Sequence, residues 1–93
     1  MSKAHELKCN KHYFEAIERG DKNFEVRRDD RGFQKGDILV LKKFDNGRYE
    51  MDGYGISASP KQTKKCISYV MTGGQFGIEP GYVVLGLKEP SDG

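Results

Sequence analysis

The sequence contains no tryptophan and no apolar run that approaches the length of a membrane-spanning helix. Such a helix needs roughly 20 consecutive apolar residues, so we expect no transmembrane helix. The first residues, MSKAHELK, are polar and lack the apolar stretch of a signal peptide. We therefore expect a cytoplasmic protein that does not associate with membranes.

Cysteine and histidine are also scarce. Cys9 and Cys66 lie far apart and neither belongs to a CxxC pair, while His5 and His12 have no suitably spaced partners. This spacing predicts no metal site, and nothing in the sequence implies a cofactor. Reduced thiols in a cytosolic protein are the simplest interpretation, although a single disulfide remains an alternative.

Charge of one sign is not in large excess. The chain has 16 basic and 14 acidic residues, which gives a net charge of +2. A strong nucleic-acid binder usually shows a markedly basic domain, so any such function must depend on local clusters. With 93 residues the chain is predicted to be a single domain, 1–93, with its core at 5–88 and a tail at 89–93.

The first regular elements are predicted by periodicity. Alternating apolar and polar residues favour a strand at 5–9. Asn10 is a good helix N-cap, and Tyr13, Ala16 and Ile17 follow at helical spacing as a buried face. Gly20 is typical of the residue that ends a helix.

A pattern of period two begins after this helix. Over residues 22–28, Phe24 and Val26 share one face of a predicted strand, and Glu25 and Arg27 share the other. The charged face is interpreted either as a solvated strand surface or as part of a site. Charge runs on strands are usually solvated surfaces, so the pattern alone favours the first interpretation.

The remaining elements are strands. DILVLKKF at 37–44 predicts a largely buried strand, DNGR a tight hairpin, and RYEM the start of a return strand. TKKCISYVM at 63–71 and YVVLGLK at 82–88 complete the pattern. One helix after the first strand and about five or six short strands predict a small α+β fold whose sheet curls into a barrel.

Gly20, Lys22, Glu25 and Arg27 match the pattern G-x-K-x-x-E-x-R at every defined position. In this the chain resembles the ASCH superfamily, whose members look like PUA domains. The segment FQKGDILVLKKF also resembles that family's glycine-aspartate entry to a barrel strand. The order of elements agrees from about residue 5 to 88, nearly the whole chain.

The resemblance implies a PUA-like β-barrel with a cleft into which Lys22, Glu25 and Arg27 project, suited to RNA or a nucleotide-like ligand. Arginine offers a bidentate fork, lysine a mobile point charge, and glutamate an acceptor that also orients the arginine. By strict alternation Lys22 falls on the opposite face from the other two residues. It reaches the cleft only if it belongs to the turn after Gly20.

Further residues could extend this binding site. Asn10 and Lys11 at the helix start could form a far wall of the cleft, although Asn10 is equally explained as a plain N-cap. A basic rim could track a phosphate backbone, but interspersed aspartates, among them Asp37, favour ordinary surface. The candidate rim residues are Arg28, Arg31, Lys35, Lys42 and Lys43.

The segment TGGQFG at 72–77 lacks the G-K-[ST] of a phosphate-binding loop. It is predicted to form a flexible wall of the cleft, where Phe76 and Tyr69 or Tyr82 could stack on a base. Core packing is the simpler interpretation of each of these aromatic residues.

Two functions of different classes follow from the resemblance. The first is a module that binds RNA or a nucleotide-like small molecule. The second is a small hydrolase, since some ASCH proteins resemble amidohydrolases of acylated cytidine and others ribonucleases. Lys22 would then be the nucleophile or base, and Glu25 would carry a proton.

This chain departs from the amidohydrolase-like members in two ways. Those members carry threonine at the position of Glu25 and draw a further glutamate from a helical insertion before the last strand. A third alternative is a protein-interaction domain that has lost its ligand. The sequence predicts neither the identity of the ligand nor the oligomeric state.

Overall fold

The computed structural model describes residues 2–91 of the chain. Within this range no helix is long and apolar enough to cross a membrane. The elements are β1 (Ala4–Asn10), α1 (Lys11–Glu18), β2 (Phe24–Arg28), β3 (Ile38–Asp45), β4 (Arg48–Tyr49), β5 (Met51–Asp52), a 3-10 turn (Gly55–Ser57), β6 (Ser59–Pro60), β7 (Gln62–Thr72) and β8 (Tyr82–Lys88). Of the predicted tail, Asp92 and Gly93 lie outside the described residues.

The main sheet has the strand order β1-β3-β7-β8-β2, and β4 pairs with the end of β3. β1 runs parallel to β3, and the other neighbours are antiparallel. β5 and β6 form a separate two-stranded sheet. The α+β prediction is confirmed: one helix follows the first strand, and the mixed sheet curls into a half-barrel with β1 and β2 at its two ends.

The core fills the inside of this half-barrel. Alternate residues of each long strand face inward, and α1 closes the core with Phe14 and Ile17. The prediction that Tyr13 belongs to the buried face is wrong, because Tyr13 is 57% exposed. Phe14 and Ile17 are spaced by one turn and take the inward side, which leaves the tyrosine beside it. The strand residues of the core are Leu7, Cys9, Leu39, Leu41, Ile67, Val83, Leu85 and Leu87.

The orientation of β2 is the main departure from the simplest prediction. Glu25 is only 4% exposed, whereas Phe24 and Val26 are 43% and 48% exposed. Glu25 lies opposite the buried Leu85 of β8, and residues opposite each other in a sheet share a face. The interpretation of the charged face as a solvated strand surface is therefore wrong.

The predicted helix and hairpin signals are confirmed. The Asn10 side chain accepts a hydrogen bond of 2.9 Å from the His12 amide at the start of α1. Gly20, with φ of 85°, follows the helix end, where its left-handed backbone suits glycine. Asn46 and Gly47 both have positive φ and form the turn between β3 and β4, as an Asn-Gly hairpin requires.

Asp37 ties three segments together at the start of β3. Its carboxylate accepts from His5 Nε2 at 2.8 Å, and from the Lys3 and Gln34 amides at 3.1 Å each. Burial opposes the charge, but these hydrogen bonds, led by that of His5, outweigh it and hold the pKa of Asp37 below its ordinary value. Asp37 is only 2% exposed, so it does not belong to the surface rim in which the sequence placed it.

Lys43 is a second buried charge that the sequence placed on the rim. It is 4% exposed, and its Nζ donates to Glu15 at 3.2 Å and to Glu50 at 3.1 Å. Burial opposes the charge, yet the two carboxylates hold the pKa of Lys43 above its ordinary value. This ion pair network attaches α1 to β3, so the assignment of Lys43 to a phosphate-binding rim is wrong.

The two cysteines are free thiols, and both are buried. Of the two sequence-based alternatives, reduced thiols and a single disulfide, the structure has the first. Cys9 faces inward from β1 and Cys66 lies on β7.

We predict that Asp37→Asn lowers the free energy of unfolding at neutral pH by about 2–4 kcal/mol, because a buried carboxylate with three donors is lost. Since the pKa of Asp37 is lowered on folding, its contribution is complete above the ordinary value of 3.8 and is lost as the pH falls through the folded-state value. Urea unfolding at neutral pH and across the acid range measures both effects.

The exposed Asp52→Asn variant is the matched control and should unfold like the wild type at all pH values. The stability difference between wild type and Asp37→Asn should shrink as the pH falls below this ordinary value. A difference that stays constant across the acid range would contradict the assignment.

Candidate functional site

A cleft of about 580 Å³ opens where the half-barrel is not closed, between β1 and β2. The first turn of α1 and the segment after Gly20 lie beside it, so β1, α1 and β2 all contribute side chains. The residues that line the cleft are Lys8, Asn10, Tyr13, Lys22, Phe24, Glu25, Val26 and Arg27. Lys22, Glu25 and Arg27 of the sequence motif are thus brought together at one place.

Glu25 is the centre of this group. Its Oε1 accepts a hydrogen bond of 2.6 Å from Lys22 Nζ. Its Oε2 accepts from Arg27 Nε at 2.8 Å and lies 2.7 Å from Arg27 Nη2. A carboxylate offers about four acceptor positions, so these donors use most of them. Glu25 therefore acts chiefly by orienting the two cations.

Lys22 reaches the cleft from outside the strand, because β2 begins only at Phe24. This removes the difficulty that strict alternation poses for Lys22. Its Nζ also donates to the Phe24 carbonyl oxygen at 2.8 Å, and it lies 5.0 Å and 4.9 Å from the ring centroids of Tyr13 and Phe24. The ammonium group is thus placed between two aromatic rings and a carboxylate, a favourable setting for a cation.

Arg27 connects β1 and β2, the two edge strands of the main sheet. Besides Glu25, its Nη2 donates to the backbone carbonyl of Lys8 on β1 at 2.8 Å. Arg31 makes a parallel contact, from Nη1 to the carbonyl of Glu6 at 3.0 Å. These carbonyls belong to an edge of β1 that pairs with no strand among residues 2–91. Two guanidinium groups therefore take the place of strand pairing across the cleft.

Cys9 lies beneath the charged group and is 1% exposed. Burial, together with the negative charge of Glu25, raises the pKa of the Cys9 thiol to about 11, although Arg27 and Lys22 oppose the shift. A thiol in this environment is a poor nucleophile. Cys9 is therefore part of the core that supports the site.

Four residues predicted for the site do not line this cleft. Lys11 begins α1 but is not in the wall, whereas its neighbour Asn10 is. Arg28, Tyr69 and Phe76 also lie elsewhere, so the prediction that Tyr69 and Phe76 form a wall of the cleft is wrong. The simpler interpretation, that both rings pack in the core, is wrong as well, since Tyr69 is 66% and Phe76 85% exposed.

The basic rim is largely occupied by internal contacts. Arg31 holds the Glu6 carbonyl, and Lys42 lies 2.9 Å from the Glu6 carboxylate, which lowers the pKa of Glu6. A second hollow of about 490 Å³ lies on this side of Arg27. Its lining has four basic side chains and one acidic side chain: Lys8, Arg27, Arg31 and Lys42 against Glu6. The aspartates that the sequence places among the rim residues do not line it.

Sequence reasoning missed four lining residues: Lys8, Tyr13, Phe24 and Val26. The aromatic and aliphatic members were assigned to the core because their spacing is that of buried faces. The signal that could have found them is the G-x-K-x-x-E-x-R pattern itself, because an inward Glu25 forces Phe24 and Val26 outward. Among residues 2–91, no three histidine, cysteine or acidic side chains are grouped as metal ligands.

A family model described as "Domain of unknown function (DUF3850)" matches residues 4–87. The chain belongs to this family. A similar protein is the "Uncharacterized 12.9 kDa protein in GpA 3'region" of Escherichia phage P2, which is 38% identical over 47 residues. That match covers 50% of this chain and 43% of the phage protein, so the chain spans less than half of that relative's length.

We predict that Glu25→Gln lowers the free energy of unfolding by about 1–3 kcal/mol, because one buried carboxylate neutralises two cations. Lys22→Gln combined with Glu25→Gln should cost less than the sum of the two single changes, since the partners interact directly. Urea unfolding of the four proteins in this cycle measures the coupling. Strict additivity would contradict it.

We also predict that Cys9 reacts slowly with a thiol-specific reagent. In a Cys66→Ala background at pH 8, the raised pKa of Cys9 reduces its thiolate fraction by about 100-fold or more relative to a free cysteine. The rate should increase as the pH rises toward 11. The same protein in concentrated urea is the control. Equal rates in the folded and unfolded protein would contradict the prediction.

Proposed function

We propose that this chain is an ASCH-type, PUA-like module that binds RNA or a nucleotide-like ligand in the cleft between β1 and β2. The observation that carries the proposal is the buried Glu25 carboxylate, which holds Lys22 and Arg27 at the wall of an open cavity. Burying a charge is costly unless it is paired. A structure that needed only stability would gain as much from an apolar residue there.

The cleft offers the chemistry that a nucleotide requires. Lys8, Lys22 and Arg27 contribute three positive charges against the single negative charge of Glu25. Arg27 is 24% exposed, so donors of its guanidinium remain open to a phosphate or a base edge. Tyr13 and Phe24 provide aromatic surfaces beside these cations, on which a base can stack.

The proposed membership of the ASCH superfamily rests on the four motif residues and on the order of elements. The half-barrel with its helix after β1 supports it, because it places the motif at the opening of the sheet. Asn10 lies at the same opening and can add a hydrogen bond to a ligand. The buried Asp37 at the entry to β3 accounts for the glycine-aspartate pair that resembles the family.

Among residues 2–91, no specific contact favours the hydrolase alternative. Lys22 Nζ donates to Glu25 and to the Phe24 carbonyl and lies against two rings, so most of its surroundings are already occupied by the protein. Both carboxylate oxygens of Glu25 are likewise engaged, one by Lys22 and the other by Arg27. Binding without chemistry is the function that this arrangement supports best.

We predict that Arg27→Ala weakens binding of short single-stranded RNA or of nucleoside monophosphates by about 10-fold or more. The loss should be accompanied by a weaker dependence of affinity on salt, because a phosphate contact is removed. NMR titration of a nucleotide panel, including acylated cytidine, measures affinity and maps shifts onto Lys22, Glu25 and Arg27. It also reveals any conversion of the ligand.

The exposed Arg48→Ala variant on β4 removes the same charge away from the cleft and should bind like the wild type. Arg27→Lys keeps the charge but loses the bidentate geometry and should show an intermediate effect. The spectrum of each free variant shows whether it is folded. Binding that is unaffected by Arg27→Ala in a folded protein would overturn the proposal.

A further inference from the structure

An apolar surface with exposed aromatic rings covers the outside of β2, β8 and β7. Phe24 and Tyr69 both lie opposite Gly86, one on each side of it, and Val26 and Met71 both lie opposite Val84. Residues in register share a face, so these side chains stand in two rows across three strands. Phe24, Val26 and Tyr69 are all exposed. We call these five residues with Gly86 the outer face.

Gly86 separates the two rings of the first row. Neighbouring strands are about 4.8 Å apart, so the backbones of Phe24 and Tyr69 stand roughly 10 Å apart across the glycine. The space directly above Gly86 is taken by Ser68, because a Cβ at residue 86 would lie 2.8 Å from Ser68 Oγ. Phe24 and Tyr69 are therefore two separate exposed rings on either side of Gly86, and each offers a surface on which a base can stack.

Ser68 explains why Tyr69 reaches this face. The pairing of β7 with β8 shifts by one residue between Ile67 and Tyr69, which is a β-bulge. A bulge re-aims the side chains that follow it and is common next to functional sites. Without the bulge, the alternation from the buried Ile67 would point residue 69 inward.

A hollow of about 210 Å³ continues the surface beyond the second row. It is lined by Val26, Ile78, Tyr82 and the backbone around Gly77, and Glu79 also lines it. The Arg28 guanidinium lies 5.6 Å from the Tyr82 ring. The outer face thus extends from the rings of Phe24 and Tyr69 to a further aromatic ring, that of Tyr82, beside which a guanidinium group lies.

Phe24 joins the outer face to the cleft. Its ring centroid lies 4.9 Å from Lys22 Nζ in the cleft, and Phe24 also belongs to the first row of the outer face. A strand bound in the cleft can therefore continue over this residue onto the outer face without crossing a barrier of charge. Arg28, and Lys88 at the end of β8, place cations along that path.

We propose that the outer face binds the bases of single-stranded RNA that extends from the cleft, with bases stacked on the exposed rings of Phe24 and Tyr69. The inference rests on the proposed function, and it deepens it by naming a chain of several nucleotides, not a mononucleotide, as the ligand. Base stacking on aromatic rings tolerates any sequence. The outer face therefore adds affinity and length dependence more than sequence preference.

A second copy of the chain is the competing occupant of an exposed apolar sheet face. Protein interfaces are also enriched in aromatic residues and methionine, so the exposed rings alone do not distinguish the two occupants. The outer face, however, continues at Phe24 into the cleft with its cations, and Arg28 and Lys88 lie at its ends. This positive charge favours a nucleic-acid strand over self-association.

The test compares hexamers of cytidine and of adenosine with the corresponding 5′-monophosphates, using calorimetry on the wild type and on Tyr69→Ala. We expect the hexamers to bind more tightly than the monophosphates. Tyr69→Ala should weaken hexamer binding by about 5- to 100-fold and leave monophosphate binding unchanged. Tyr54→Ala removes a tyrosine that is 92% exposed on the hairpin between β5 and β6, and should change neither.

The other outcomes distinguish a failure of the outer-face inference from a failure of the proposed function. Equal affinity for hexamers and monophosphates, or hexamer binding unaffected by Tyr69→Ala, overturns the outer-face inference and leaves the cleft function intact. Absence of binding by any of these ligands overturns the proposed function as well. Sedimentation that shows a dimer of wild type but a monomer of Tyr69→Ala, without length dependence, assigns the outer face to self-association.

Discussion

The carboxylate of Glu25 controls the geometry of the open side of the sheet. It fixes the Arg27 guanidinium, and that group in turn holds the Lys8 carbonyl on β1, so one buried acid links both ends of a sheet that does not close on itself. It also draws Lys22 out of the turn after Gly20 and against two rings. The positions of Lys22 and Arg27 in the cleft depend on this acid, as does the outward placement of Phe24 and Val26.

Two other buried charges are also paired and also join separate elements of the fold. Asp37 binds the chain before β1 to the loop before β3, and Lys43 binds α1 to β3. All three charged residues are satisfied by partners, and no buried side-chain polar atom among residues 2–91 lacks a hydrogen bond. A small domain with a modest apolar core thus uses paired charges to fix the relative positions of its elements. Only the Glu25 group borders the large cleft, and that position distinguishes a site from a structural ion pair.

Much of the fold could be predicted from the sequence because local signals agreed with it. The cap at Asn10, the stop at Gly20, the Asn-Gly turn and the alternation in the long strands all follow from backbone preferences of a few neighbouring residues. The face that each strand turns inward was harder to predict. For β2, two apolar residues and two charged residues alternate, and only the partner strand β8 decides which pair is buried. The bulge that exposes Tyr69 and the buried partners of Lys43 likewise depend on contacts distant in sequence.

The contact between β1 and β2 differs from every other strand contact in the main sheet, because side chains and not backbone groups make it. Backbone pairing fixes the spacing of two strands at about 4.8 Å, and changing it breaks a whole ladder of bonds at once. Across the opening, the spacing depends instead on side-chain hydrogen bonds, chiefly those of the Arg27 guanidinium with the Glu25 carboxylate and with one carbonyl oxygen of β1. A single substitution can therefore alter the width of this half-barrel, while the hydrogen-bond ladders of the other strands and the packed core stay intact.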